Sequence, residues 1–222
     1  MNRIVVITGA AGALGAAVVD EFVRRGDTPV LLDIVHPPGA HPTFVVNLED
    51  AAACVATAKS IVERHRRIDV LANVAGGFTM GEAVHETSDR TWNAMFDLNA
   101  RSVLNMARAV VPQMLRQGGG HIVSVAARAG LRGAANMGAY TASKSVVIRL
   151  TESLADELKA SGINVNCVMP SIIDTPRNRA DMPDADFSRW VAPADLAKVI
   201  AFLASDDARA IHGAAIPVEG LS

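Results

Sequence analysis

Ile4-Val5-Val6-Ile7-Thr8-Gly9-Ala10-Ala11-Gly12-Ala13-Leu14-Gly15-Ala16-Ala17-Val18-Val19 decides the fold. Four consecutive β-branched residues, apolar on both faces, predict a strand at 4–7 buried on both sides, as in a parallel sheet. The Gly and Ala string that follows lets the backbone turn sharply, and a helical pattern at 16–25 follows directly. Strand, glycine-rich turn and helix start together bring free N–H groups and the positive end of a helix dipole to one point. That point suits a pyrophosphate, with Gly9, Ala11, Gly12, Ala13, Leu14 and Gly15 as candidate contacts. A tight turn with no ligand is the plainer alternative.

Further strands are predicted at 30–32, 44–46, 69–71, 122–125, 164–168 and 215–218. Helical patterns lie between them, at 51–66, through Leu98, Val103, Ala107 and Val110, and through Val146, Val147, Leu150 and Leu154. This alternation predicts an α/β fold, a Rossmann-type doubly wound parallel sheet of seven strands with helices on both faces. With 222 residues, no repeats and no low-complexity linker, one domain spanning 1–222 is expected. Residues 1–120 would form its cofactor half and 121–222 its catalytic and substrate half. The irregular stretch at 170–193 is long enough to cover a site.

Composition narrows the function. A net charge of -2 gives no electrostatic reason to expect nucleic acid or an anionic membrane as partner. No apolar run approaches the roughly 20 residues needed to span a bilayer. Cys54 and Cys167 are far apart and fit no metal or redox spacing, which points to buried thiols in a reducing, cytoplasmic compartment. The six histidines show no ligand spacing, so no metal is expected.

Asp33 ends the second predicted strand. A carboxylate there accepts bonds from both adenosine ribose hydroxyls and repels a 2′-phosphate, which favours NAD(H) and leaves NADP(H) second. A solvated or capping Asp is the alternative reading. Arg24 and Arg25 would weaken the preference if they pointed inward. Asn47 and Leu48 follow the third strand, where adenine would rest, and Asn73-Val74-Ala75-Gly76-Gly77 follows the fourth. All these turns lie at carboxyl ends of strands, where open α/β sheets bind ligands.

Tyr140-Thr141-Ala142-Ser143-Lys144 puts a phenol and an ammonium on one helical face. A neighbouring cation favours the phenolate, so the pKa of Tyr140 is expected to fall from about 10. Tyr140 would then serve as general acid in reduction or base in the reverse direction. Lys144 would also hold the nicotinamide ribose.

Together these motifs resemble the short-chain dehydrogenase/reductase family over nearly the whole chain. The likeness rests on Thr8 to Gly15, Asp33, Asn73-Val74-Ala75-Gly76, Asn99 in Asp97-Leu98-Asn99, Tyr140 with Lys144, and the stretch from Gly213 to Gly220. It implies that Asn99 organises a water between Lys144 and solvent; a helix-kink or capping role is the alternative. It also implies cofactor contacts from Val74, Ala75, Gly76, Tyr140, Lys144, Pro170, Ile172 and Thr175, and a homodimer or homotetramer packed through the helical faces at 98–115 and 146–158. One position departs from the pattern. Where the family carries a serine to bind the substrate carbonyl, this chain has Ala127, and strand alternation turns Ser124 away. Losing such a donor costs on the order of 100-fold in rate.

The loop Asp174-Thr175-Pro176-Arg177-Asn178-Arg179-Ala180-Asp181-Met182-Pro183-Asp184-Ala185-Asp186-Phe187-Ser188-Arg189-Trp190 is similar to that of dihydropteridine reductases. Those enzymes also carry alanine at the serine position, a Gly-Ala-Leu-Gly turn and a basic residue at the place of Arg128. The resemblance implies NADH-dependent reduction of a small conjugated imine, a quinonoid dihydropterin, with Ala127, Arg128, Phe187 and Trp190 at the substrate. In the competing reading Phe187 and Trp190 pack the loop on the body, and Arg177 and Arg179 pair with Asp181 and Asp184. Two other functions stay open: a general alcohol or 3-oxoacyl reductase, and an NAD-binding sensor without turnover.

Overall fold

The structure is a computed structural model that describes residues 2–221. Its centre is a parallel seven-stranded sheet in the order β3-β2-β1-β4-β5-β6-β7. The strands are β1 (Ile4–Thr8), β2 (Thr28–Asp33), β3 (Thr43–Val45), β4 (Val70–Asn73), β5 (Gly120–Val125), β6 (Ile163–Pro170) and β7 (Ala215–Val218). Every residue of β1, β4 and β6 is buried, as two-sided apolar runs require.

Helices cover both faces. α1 (Ala13–Arg24) and α7 (Pro193–Leu203) pack on one side, where Val18, Phe22, Leu196 and Ile200 close a core with Val5 and Ile7. On the other, α2 (Ala51–His65) and α4 (Ser102–Gln117) pack through Cys54, Ile61, Met106 and Val110 onto Val6, Leu32 and Leu71. A third cluster joins Val147 and Ile148 of α5 (Gly138–Leu158) to Cys167 and Met169 of β6. Among the described residues, no helix is long and apolar enough to cross a membrane.

The strand order reverses between β1 and β4: the chain moves outward through β2 and β3, then returns to start β4 on the other side of β1. Such a switch point opens a crevice at the carboxyl ends of the strands. The stretch at 170–193 is more ordered than its composition suggests. It holds α6 (Pro176–Asp181), capped by the Thr175 hydroxyl on the Asn178 N–H at 3.2 Å, and a 3-10 turn at Phe187–Arg189. A further helix, α3 (Asp89–Phe96), precedes α4.

Candidate active site

Three small residues shape the turn after β1. Gly9 has φ +66, and a Cβ there would stand 2.7 Å from the Ala75 Cα. At Gly15 a Cβ would stand 2.0 Å from the Gly9 carbonyl oxygen, so α1 can lie against the turn only without one. Gly12 caps α1 with no side-chain bond, and Ala11, Gly12 and Ala13 are exposed. The first N–H groups of α1 are therefore open to an anion, while Leu14 turns its side chain into the core.

Neighbouring turns are bonded to this one. The Thr8 hydroxyl accepts from the N–H groups of Val74 (3.0 Å) and Ala75 (3.1 Å), joining the ends of β1 and β4. Asp33 accepts from the Ala11 N–H through one carboxylate oxygen (2.9 Å) and from the Ile34 N–H through the other (2.7 Å). The carboxylate thus sits at the glycine-rich turn rather than loose in solvent. Arg24 and Arg25 are both drawn to Glu21 on their own helix at 2.7 Å, away from any role beside Asp33. Asn47 is exposed and Leu48 buried beyond β3.

Tyr140 and Lys144 lie in the first two turns of α5. Lys144 is buried and donates to the Val125 carbonyl at 2.9 Å. The Tyr140 ring meets Phe78 edge-on, with centroids 4.8 Å apart. The expected lowering of the Tyr140 pKa is not found. Burial pushes the phenol up to about 12, and burial also pushes the Lys144 ammonium down to about 8. Desolvation of two charged forms outweighs their helical proximity here.

Asn99 is buried in a π-helical turn, Asp97–Arg101, between α3 and α4. Its side chain accepts from the Gly77 N–H (2.9 Å) and donates to the Gly77 carbonyl (3.1 Å) and the Ser143 hydroxyl (3.0 Å). A Cβ on Gly76 would lie 2.9 Å from Asn99 Oδ1 and 3.1 Å from Lys144 Nζ. Gly76, Asn99 and Lys144 thus meet at one point. The π turn at Asp97–Arg101 carries the buried Asn99 amide to the turn at Gly76 and Gly77.

Ala127 is buried at the start of a 3-10 turn, Arg128–Leu131, which packs on α5 where Gly130 meets the Lys144 backbone. Ser124 cannot replace a hydroxyl there, because its Oγ accepts from Asn73 Nδ2 at 3.1 Å inside the sheet. Arg128 pairs with Glu219 beyond β7 at 2.9 Å. Pro170 ends β6, and the Ile172 carbonyl accepts from the Val191 N–H. In the loop Trp190 is only 8% exposed and tilts against Phe187 at 4.8 Å, so it takes the packing role. Arg177 pairs with Asp181 as expected, but Arg179 pairs with Asp174 at 2.7 Å rather than Asp184, and its guanidinium lies 4.7 Å from the Phe187 ring centre.

A doubly wound sheet, a glycine cradle under an open helix end, and a buried lysine beside a tyrosine define a dinucleotide-dependent oxidoreductase. The short chain dehydrogenase family model matches residues 3–186. A 3-oxoacyl-[acyl-carrier-protein] reductase of Thermotoga maritima is 31% identical over 99% of this chain and 97% of its own length. A 2-(R)-hydroxypropyl-CoM dehydrogenase of Xanthobacter autotrophicus is 32% identical over 99% and 98%. A carveol dehydrogenase of Mycobacterium avium, solved with NAD, superposes with a TM-score of 0.89 at 28% identity, over 98% and 96% of the two chains. The chain belongs to the short chain dehydrogenase family and is an NAD(P)-dependent oxidoreductase.

Proposed function

We propose that this oxidoreductase uses NADH to reduce a small conjugated substrate such as a quinonoid dihydropterin. The observation that carries this reading is Ala127: a buried methyl stands at the serine position while the chain keeps Tyr140, Lys144 and Asn99. An electron-poor conjugated imine needs less carbonyl polarisation than a ketone, so it is the substrate type for which that loss matters least. The loop at 174–190, with its likeness to dihydropteridine reductases, supports the same choice.

Bound NADH supplies the hydride. The N–H groups at the open start of α1, from Ala13 on, would take the pyrophosphate, because the Gly12 N–H is already bonded to the Gly9 carbonyl at 3.1 Å; Gly9 and Gly15 keep the backbone close enough to do so. Asp33 would take the adenosine ribose hydroxyls, and a 2′-phosphate there would meet its carboxylate, which supports NADH over NADPH. Lys144 would hold the nicotinamide ribose at the Gly76 turn, Asn99 would organise a water between Lys144 and solvent, and Pro170, Ile172 and Thr175 would contact the cofactor. Tyr140 donates its phenolic proton to the nitrogen made basic by hydride addition. A phenol held near 12 stays protonated at neutral pH, the form a proton donor needs. Arg128 and Phe187 would border the substrate. The chain would work in the cytoplasm as a homodimer or homotetramer through α4 and α5.

A second reading is reduction of an alcohol-forming carbonyl or a 3-oxoacyl thioester. It is favoured by the Thermotoga maritima relative, a 3-oxoacyl-[acyl-carrier-protein] reductase. NADH oxidation with quinonoid dihydropterin, beside NADPH, simple ketones and a 3-oxoacyl thioester, separates the two. Fast turnover of the pterin with NADH is expected; turnover of carbonyls alone moves the chain to the second reading. Tyr140→Phe should lower turnover about 100-fold or more while NADH still binds. Tight NADH binding with no turnover of any substrate would sink both and leave a sensor.

A further inference from the structure

Asn105 lies on the inward face of α4, 2% exposed, among the buried side chains of Val103, Met106, Ala107 and Val110. A buried amide in an apolar face is costly unless bonded. Asn105 Nδ2 donates to two carbonyls of the connection between β3 and α2, those of Leu48 (2.9 Å) and Glu49 (3.1 Å). Both amide hydrogens are thereby used on a segment 56 and 57 residues away in sequence.

That segment needs an anchor. β3 is three residues long, lies at the edge of the sheet and pairs with β2 alone. The connection is otherwise held by β2, by bonds within itself and by the start of α2. The Val46 N–H donates to the Asp33 carbonyl at 2.8 Å, which sets the turn beside the ribose-binding carboxylate. Asn47 accepts from the Glu49 N–H through its side chain (3.0 Å) and from the Asp50 N–H through its carbonyl (3.2 Å). Asp50 caps α2. With Asn105 holding both following carbonyls, the acceptors of the turn are spoken for. The Leu48 N–H and the Asn47 Nδ2 group carry no bond among the described residues. Donors suit the rim of adenine, whose ring nitrogens accept.

We propose that Asn105 is a positioning residue for the adenine end of the cofactor. From α4 it fixes the turn at Asn47 and Leu48 so that its two unbonded donors face the base. The proposal rests on the nicotinamide-dinucleotide reading above and adds a residue that does not touch the ligand. Six residues earlier, in the π turn that leads into α4, Asn99 holds Gly77, so the two asparagines anchor the turns that follow β4 and β3.

The test is Asn105→Leu, which keeps the branching at Cγ and removes the donors. Calorimetry would give the affinities of NADH, AMP and nicotinamide mononucleotide, with kcat and KM measured alongside. NADH and AMP should each bind about tenfold more weakly, the KM for NADH should rise by the same factor, and mononucleotide affinity should hold within about twofold. Unchanged AMP affinity overturns the proposal; so does a mononucleotide loss equal to the AMP loss, which marks general loosening. If Asn105→Leu does not fold, Asn105→Gln displaces the donor by one methylene and should show the same AMP-selective loss, with the same overturning outcomes. A wild-type chain that bound AMP but no nicotinamide nucleotide would defeat the parent reading, while AMP affinity would still decide the role of Asn105.

Discussion

The turns that end β1, β2 and β4 and the segments that end β5, β6 and β7 share one rim of the sheet but are built differently. On the first side the fit is made by backbone and by missing side chains. Gly9 and Gly15 are places where a Cβ would overlap another residue's backbone, and Thr8 spends its hydroxyl on two N–H groups. On the second side the fit is made by side chains: Tyr140 against Phe78, Lys144 on the Val125 carbonyl, Arg128 on Glu219 and Arg179 over Phe187. Backbone recognition serves a ligand common to every reaction of the family and tolerates almost no change. Side-chain recognition can be altered one group at a time without disturbing the fold.

The sharpest way to break this contrast is Gly15→Ala. The added Cβ would fall 2.0 Å from the Gly9 carbonyl oxygen, and backbone, unlike a flexible side chain, must move as a whole. Overpacking of this kind costs about 1–3 kcal/mol, and the helix end it displaces is the one proposed to meet the pyrophosphate. NADH affinity, read by fluorescence titration, should fall by about 100-fold, equally for every substrate assayed. Retained affinity would mean the cradle is not the phosphate site.

A change on the other side should be smaller and selective. Ala127→Ser places a hydroxyl where carbonyl polarisation is expected, in a buried position beside the 3-10 turn. A fully optimised donor of this type is worth about 100-fold, so an unoptimised one should raise kcat/KM for ketones about tenfold. The affinity for NADH should not change, nor should pterin turnover improve. Equal gains for ketone and pterin would remove the reason offered for the alanine.

The same contrast governs what could be read from the chain itself. Strands were legible because two-sided burial leaves continuous apolar runs; β1, β4 and β7 lie within two residues of their expected places. The glycine turn was legible because steric need restricts residue type. α5 begins at Gly138, well before its apolar period at Val146, because Tyr140 and Lys144 face the site and so obey no amphipathic rule. β6 runs on through Met169 and Pro170, held by pairing to β7 that no local signal announces. The π turn at Asp97–Arg101 has no composition of its own, and Phe78 reaches Tyr140 from an irregular loop. Asn105 is one amide in an apolar helix face, and only the distance to Leu48 gives it meaning. Ser88 capping Asp89–Phe96 was a readable signal for α3, through its bond to the Thr91 N–H.

The smallest expected effect concerns stability rather than turnover, and it tests whether the side-chain half of the rim is held at a cost. Burial lowers the Lys144 ammonium from 10.5 to about 8. Between these values the unfolded chain binds a proton that the folded chain does not, so stability rises as pH climbs from about 8 to about 10.5. Below about 8 the folded state carries the whole penalty of a buried charge, on the order of 3 kcal/mol for a gap of this size. The Val125 carbonyl that accepts from Nζ offsets part of it. Lys144→Met in the cofactor-free protein should therefore raise Tm by a few degrees at pH 7, and the gain should shrink towards pH 10.5. Tyr140, raised from 10.0 to about 12, adds the opposite slope above pH 10, where the unfolded phenol loses its proton first and the folded state loses stability. Thermal melts of wild type, Lys144→Met and Tyr140→Phe from pH 7 to pH 11 separate the two windows. A Lys144→Met difference that stayed constant with pH would show that the ammonium is not desolvated, and the rim would then be no more strained on the side-chain half than on the backbone half.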